Sequence, residues 1–423
     1  MKNQLITILI VAMTLATAWA IRGQFGHEPG AAWAGGIGAL SLILVSKRKD
    51  WYSKIFGITL ASAIGWGATG MISYGQVVGY GRSMNFPNVF YGLLMLFIIG
   101  GIYGILGGGL VGLSLDSSKE KRVNWGSLLA EMVAGGIVGY YLLIVQFEWL
   151  MTPPRDEMWS VCLGAGLAML WYMARNNFKS PLRVALYSAL GGGFGFAFGN
   201  FLQTLGAGLE IQFNMWNVME YSIGFFGGTG MAYGVFSSVW PEEAPVPERW
   251  ESKIAVLVVF VAIPFIILFD SMGYDTLIER INDKINPELT AFLSTLFGPI
   301  IIFSVAGIGY FKYLKSKAGF ERKDILVLFI AYLSAYILVS YIVSGVFAGR
   351  FPLNHQLYVV NLAVILWLAG KQFTPFFTKP VSEMNINRWI LYLAGIIAVI
   401  MILALISVNT HGEMGGAHER FMN

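Results

Sequence analysis

Apolar runs long enough to cross a lipid bilayer recur from one end of this chain to the other, and no other feature restricts its fold so severely. A run of roughly 17 to 25 such residues must satisfy its own backbone N–H and C=O groups once it leaves water, and the α-helix does so within one segment. Of the 423 residues, 56% are hydrophobic and 12% charged, which leaves little for a water-soluble domain. Hydropathy predicts thirteen helices, at 3–21, 30–46, 54–78, 89–115, 125–148, 158–174, 182–206, 215–239, 253–271, 291–314, 325–347, 357–370 and 389–408. The expected fold class is an all-α polytopic membrane protein.

Lysine and arginine stay on the cytoplasmic side during insertion. One alternating set of loops is rich in them: Lys47, Arg48, Lys49 and Lys54; Lys119, Lys121 and Arg122; Arg175, Lys179 and Arg183; Arg249 and Lys253; Lys312, Lys315, Lys317, Arg322 and Lys323; Lys371 and Lys379. With Lys2 and Arg388 this set holds 21 of the 28 basic residues. The expectation is a cytoplasmic (inner) membrane protein with its amino terminus inside and its carboxyl terminus outside. The 357–370 run is short for a full crossing, and if it re-enters, the carboxyl terminus changes sides. Lys2, the apolar run behind it and the small residues Ala18 and Ala20 resemble a secretory signal. A retained first helix is the rival reading, favoured because the segment has a counterpart later in the chain.

That counterpart belongs to an internal repeat. Leu60-Ala-Ser-Ala-Ile-Gly-Trp-Gly67 aligns with Leu186-Tyr-Ser-Ala-Leu-Gly-Gly-Gly193, Gln76 with Gln203, Gln24-Phe25 with Gln146-Phe147, and Asn88-Val89 with Asn217-Val218. Two glycine-rich four-helix halves follow, 1–118 and 123–240. A displacement of four spans preserves orientation, so the halves are parallel repeats, a construction common among carriers. Residues 241–252 form a proline-rich acidic linker, 253–408 a five-helix module poorer in glycine, and 409–423 an outer tail. Within the module, 274–288 reads as an amphipathic helix on the outer interface.

Glycine in the first 240 positions has two readings. It lets helices approach closely, or it exposes backbone to a ligand and permits a helix break. No Lys-Ser/Thr follows at phosphate-loop spacing.

All four histidines, His27, His355, His411 and His418, fall on the outer side. Arg22-Gly-Gln-Phe-Gly-His-Glu-Pro-Gly30 gathers a guanidinium, an imidazole and a carboxylate in one turn, and arginine's planar fork suits a carboxylate or phosphate. Arg22, His27, Glu28, Gln76 and Arg82, facing Gln203, Asn217 and Glu220 across the repeat, are the residues expected to line a solute pocket. Glu131 lies about two turns inside its helix and is a candidate proton carrier or a tether between helices. The tail carries His411, Glu413 and His418, a weak match to any metal spacing, and reads as a solvated tail or as a lid over the outer mouth.

These readings point to a carrier that moves a small polar or anionic solute, of the sugar or carboxylate class, by alternating access. One rival is an integral-membrane enzyme using His27 and Glu28 on an extracytoplasmic glycan or lipid-linked substrate. Another is a non-transporting scaffold. No cofactor is expected, Cys162 reads as packing, and the net charge of +4 resides in cytoplasmic loops rather than in a nucleic-acid surface. The expected partners are membrane lipids, the solute, and a second copy or a membrane complex.

Overall fold

The computed structural model describes residues 2–242, 249–271, 277, 287–314, 320–371 and 374–421. The core of the 241–252 linker and most of the expected amphipathic segment at 274–288 lie outside them. The described residues form helices and no β-strand, and nine of those helices are long and apolar enough to cross a membrane. In chain order they are α1 (Lys2–Arg22), α2 (Glu28–Ser46), α3 (Lys49–Ser53), α4 (Ile55–Thr69), α5 (Gly75–Tyr80), α6 (Phe86–Asp116), α7 (Trp125–Tyr140), α8 (Met158–Arg175), α9 (Lys179–Gly208), α10 (Met215–Phe236), α11 (Arg249–Leu257), α12 (Ile263–Ser271), α13 (Pro287–Ile308), α14 (Arg322–Val343), α15 (Leu353–Lys371) and α16 (Ile386–Val408). Two expected boundaries change. The 54–78 span is interrupted at 70–74, dividing α4 from α5, and the 357–370 run starts earlier, at Leu353, giving a 19-residue helix.

Among the described residues six helices close into a ring in which each packs along the next: α1, α2, α4, α6, α9, α10 and back to α1. Glycine makes the contacts possible. A Cβ on Gly104 of α6 would stand 2.0 Å from the Ser188 carbonyl oxygen of α9, and one on Gly100 2.3 Å from that of Gly192. Gly191 and Gly230 bring α9 against α10 in the same way, and Gly224 and Gly228 bring α10 against α1. Close backbone approach gains dispersion that bulky side chains would forbid, which matters where lipid removes the hydrophobic drive between helices.

The ring has a filled centre. The Trp66 indole reaches from α4 to Gly35 of α2, Gly107 of α6 and Gly227 of α10, each of which has no side chain to obstruct it. Trp19 and Tyr103 meet edge to face at 5.6 Å, Trp19 and Trp66 at 5.1 Å, and Tyr103 lies 5.2 Å from Phe196. These aromatics fill the space between the ring helices, with Trp19 Nε1, Trp66 Nε1 and the Tyr103 hydroxyl buried and without a hydrogen-bond partner among the described residues.

The two halves expected from the repeat occupy different places. The first supplies four ring helices and the second only two, because the α7–α8 hairpin packs outside the ring, with α7 leaning on α8 through Gly135, Gly139 and Gly164. The C-terminal helices are also split. Tyr332 and Tyr336 of α14 stack on Trp33 of α2, whereas α16 covers the α6–α9 seam on another side, through Ile400, Leu403 and Ala404 against Leu93, Phe97 and Phe201.

Loops assigned to one side by charge alternation do meet one another. At one end Gln24 reaches His355, Gln76 reaches Pro153, and Asn88 reaches residues 420–421. At the other, Lys54 donates to the Ser114 carbonyl, Arg183 to Ser237 and Glu383, and Arg322 to Ala369.

Candidate functional site

α1 ends at Arg22, whose alkyl chain fits against Gly30, where a Cβ would come within 2.8 Å of Arg22 Cγ. This places the guanidinium beside α10. Arg22 Nη2 donates to both Glu220 oxygens at 2.9 Å, and the Tyr74 hydroxyl donates to Glu220 Oε1 at 2.8 Å and also meets Arg22 Nη2. The charged side chains are 1% and 9% exposed. Removing two charges from water costs several kcal/mol each, offset only by good geometry and further hydrogen bonds. Trp19 contributes beneath, with its ring 5.1 Å from the guanidinium carbon.

Tyr74 reaches the pair because the third span breaks. Gly70 ends α4 against the first loop, where a Cβ would sit 2.5 Å from the His27 carbonyl oxygen. The chain then turns through 71–74 before resuming as α5. The pair forms the floor of a cavity of about 580 Å³, also walled by His27, Gln76, Arg155, Trp216 and His418. His27 Nδ1 stands 3.4 Å from Arg22 Nη1. Burial and then the Arg22 charge hold the imidazole below its ordinary pKa, so it is neutral at pH 7.

A second cavity, of about 550 Å³, adjoins the first across Trp216 and is lined by Arg82, Gln203, Glu210, His411 and Glu413. The Arg82 guanidinium lies 5.4 Å from the Trp216 ring centre. Gln203, oriented by its neighbours, accepts from Arg82 Nη2 and from Trp216 Nε1, both at 3.3 Å. The chain after α16 lines part of both cavities. Its His418 N–H donates to the Gly79 carbonyl at 3.0 Å, and Arg82 Nη1 donates to the Gly415 carbonyl at 3.2 Å.

The residues expected to share one pocket are thus distributed. Arg22, His27, Gln76 and Glu220 come together in the first cavity, and Arg82 and Gln203 in the second. Asn217 instead donates to the Ala20 carbonyl and meets the Tyr358 hydroxyl, tying α10 to α1 and α15. Glu28 is exposed at the start of α2, outside both linings. Glu131 pairs with Arg175 at 2.6 Å, linking α7 to α8 away from both cavities. His411 and Glu413 line the second cavity and His418 the first, and among the described residues no group of three or more His, Cys, Asp or Glu stands close enough to hold a metal. His355 is buried against Gln24 and Ser344. Cys162 packs against the Ala68 carbonyl.

Of the other lining residues, Glu210 and Trp216 escape sequence reasoning, and Tyr74 and Arg155 are legible only as polar groups that could join the site from nearby helix ends. The flanking Gly70 and Gly75 mark the break that turns Tyr74 inward. Trp216 carries the signature of an interfacial anchor. Comparison with known proteins finds no matching family model, no matching curated protein and no matching solved structure.

Proposed function

We propose that the protein is a membrane carrier for a small polar or anionic solute, taken up at the first cavity and passed along the six-helix ring by alternating access. The observation that carries this reading is the Arg22–Glu220 pair, a nearly dry ion pair at the floor of an open polar cavity and beside the aromatics between the ring helices. Arg155 adds a positive charge at the rim, so the cavity favours an anion. A solute carboxylate competes with Glu220 for the Arg22 fork, so solute entry loosens the tie between the end of α1 and α10. The terminal segment carrying His418 is the outer gate, and the break at 70–74 is where the floor moves.

The same reading takes all thirteen segments as crossings of a cytoplasmic membrane, with the cavities outside. The gathering of alternate loops at each end supports it. The repeat is supported by its aligned glycines, since Gly65 brings α4 against α6 at Leu106 and Gly107 as Gly191 brings α9 against α10 at Phe226 and Gly230.

The test is thermal unfolding of the detergent-purified protein with succinate, phosphate or glucose, followed by uptake into proteoliposomes. A solute at a hundred times its dissociation constant adds about 2.7 kcal/mol of stability. Succinate or phosphate is expected to stabilise the wild type, and the exposed rim variant Arg155→Ala to lose that effect while melting unchanged without solute. Absence of any shift across the panel overturns the reading.

A further inference from the structure

The two cavities carry opposite charge bias on either side of one indole. In the first, Arg22 and Arg155 outnumber Glu220, and Arg22 Nε, on a side chain 1% exposed, has no hydrogen-bond partner among the described residues. In the second, Glu210 and Glu413 outnumber Arg82, whose guanidinium is already engaged by the Gly415 carbonyl and the face of Trp216. Trp216 lines both. A solute bearing only a negative charge satisfies the first compartment and leaves the carboxylates of the second unmatched, so the pair of cavities suits a dipolar ligand long enough to span the wall.

Beside the cavities, at Gly79 and Asn88, which lie outside both linings, the protein holds its own residues 418–421 by their main chain. The Asn88 side chain, fully buried, accepts from the N–H groups of Arg420 and Phe421 at 2.8 and 2.9 Å and donates to the Phe421 carbonyl at 3.0 Å. The Gly79 carbonyl accepts from the His418 N–H, and a Cβ on Gly79 would lie 2.4 Å from His418 Nδ1, so the bare backbone there is what admits the segment. An amide that pairs both N–H and C=O groups of a bound segment reads peptide backbone whatever its side chains.

The geometry points to a short peptide zwitterion as the solute, its carboxylate in the first cavity with Arg22 and Arg155 and its α-ammonium in the second with Glu210 and Glu413. This rests on the solute-binding reading above and adds the substrate class. Arg82 and Trp216 form the wall the peptide backbone crosses, and the polypeptide at 411–418 lines part of both compartments.

The experiment is calorimetric titration of the full chain in detergent with trialanine, N-acetyl-trialanine, trialanine amide and succinate. Trialanine is expected to bind at least about tenfold more tightly than either blocked peptide, a difference of about 1.4 kcal/mol. The double variant Glu210→Gln/Glu413→Gln is expected to abolish the preference over N-acetyl-trialanine while leaving the affinity for N-acetyl-trialanine unchanged, a pattern that general structural damage does not produce. Equal binding of trialanine and N-acetyl-trialanine, or a preference that survives in the double variant, overturns the dipolar site. If succinate still binds in that case, the anion-carrier reading stands; if no probe binds, both fall.

Discussion

Arg22 and Glu220 are each other's main compensation for burial, so their removal is not additive. Replacing Arg22 by Gln leaves a carboxylate 9% exposed with the Tyr74 hydroxyl still donating to it, and truncating one partner of such a pair costs about 3 to 5 kcal/mol. The double variant Arg22→Met/Glu220→Leu is expected to recover most of that stability and none of the solute binding, as read by chemical denaturation and titration. His27 yields a pH prediction of definite sign. Its pKa in the free protein is depressed, so neutral imidazole is the stable form, and as pH falls below the ordinary 6.5 toward the depressed value its protonation costs folding stability. An anion bound beside it favours the imidazolium, so anion affinity is expected to rise over the same fall in pH, and His27→Ala to flatten that rise. Arg22, His27 and Glu220 were legible in the sequence because charge in an apolar chain needs a reason. Tyr74 was legible only as one polar group among many at helix ends, and Trp216 was not, since aromatics there are expected as interfacial anchors whether or not they face a cavity.

Helix faces are sorted by glycine, and the sorting can be tested by adding single methyl groups. Gly104→Ala places its Cβ on the Ser188 carbonyl, where backbone must move, and is expected to lower the melting temperature and separate α6 from α9. Gly57→Ala on α4 meets nothing within 4 Å and is expected to leave it unchanged or raise it, since alanine is the better helix former by up to about 1 kcal/mol. A melting temperature equally lowered by both would mean the glycines act through backbone flexibility instead of contact. The helices themselves were readable because a long apolar run has one way to satisfy its backbone in lipid. The interruption after Gly70 was hidden inside such a run, and so was the contact it sits on, since a Cβ on Gly70 would meet the His27 carbonyl and Glu28 from a loop more than forty positions earlier. The close packing of α6 on α9 was legible as a glycine pattern, but not which helix each glycine faces.

At the scale of the molecule, α16 is joined on both sides to segments that hold the ring. Before it, Glu383 accepts from Lys179 and Arg183 and Phe377 donates its N–H to the Phe236 carbonyl; after it, residues 415–421 hold Gly79, Arg82 and Asn88. One helix therefore connects the contacts at the two ends, and the proposed alternating access would have a direct mechanical route through it. None of this arrangement is legible in hydropathy, which gives the order and length of segments but not which faces meet; the placing of α7–α8 outside the ring and of α16 apart from α14 depends on contacts between residues hundreds of positions apart. The gate reading of 411–421 can be tested covalently. With the single native cysteine removed as Cys162→Ala, the pair Gly79→Cys/His418→Cys brings two thiols together where the His418 N–H already lies 3.0 Å from the Gly79 carbonyl oxygen. Oxidation is expected to abolish solute uptake by the double variant into proteoliposomes and reductant to restore it, while oxidant is expected to leave the rate of each single variant, whatever that rate is, where it was. Transport that continues through the oxidised protein would show that this segment is a fixed wall of the cavities and that the solute enters by another opening.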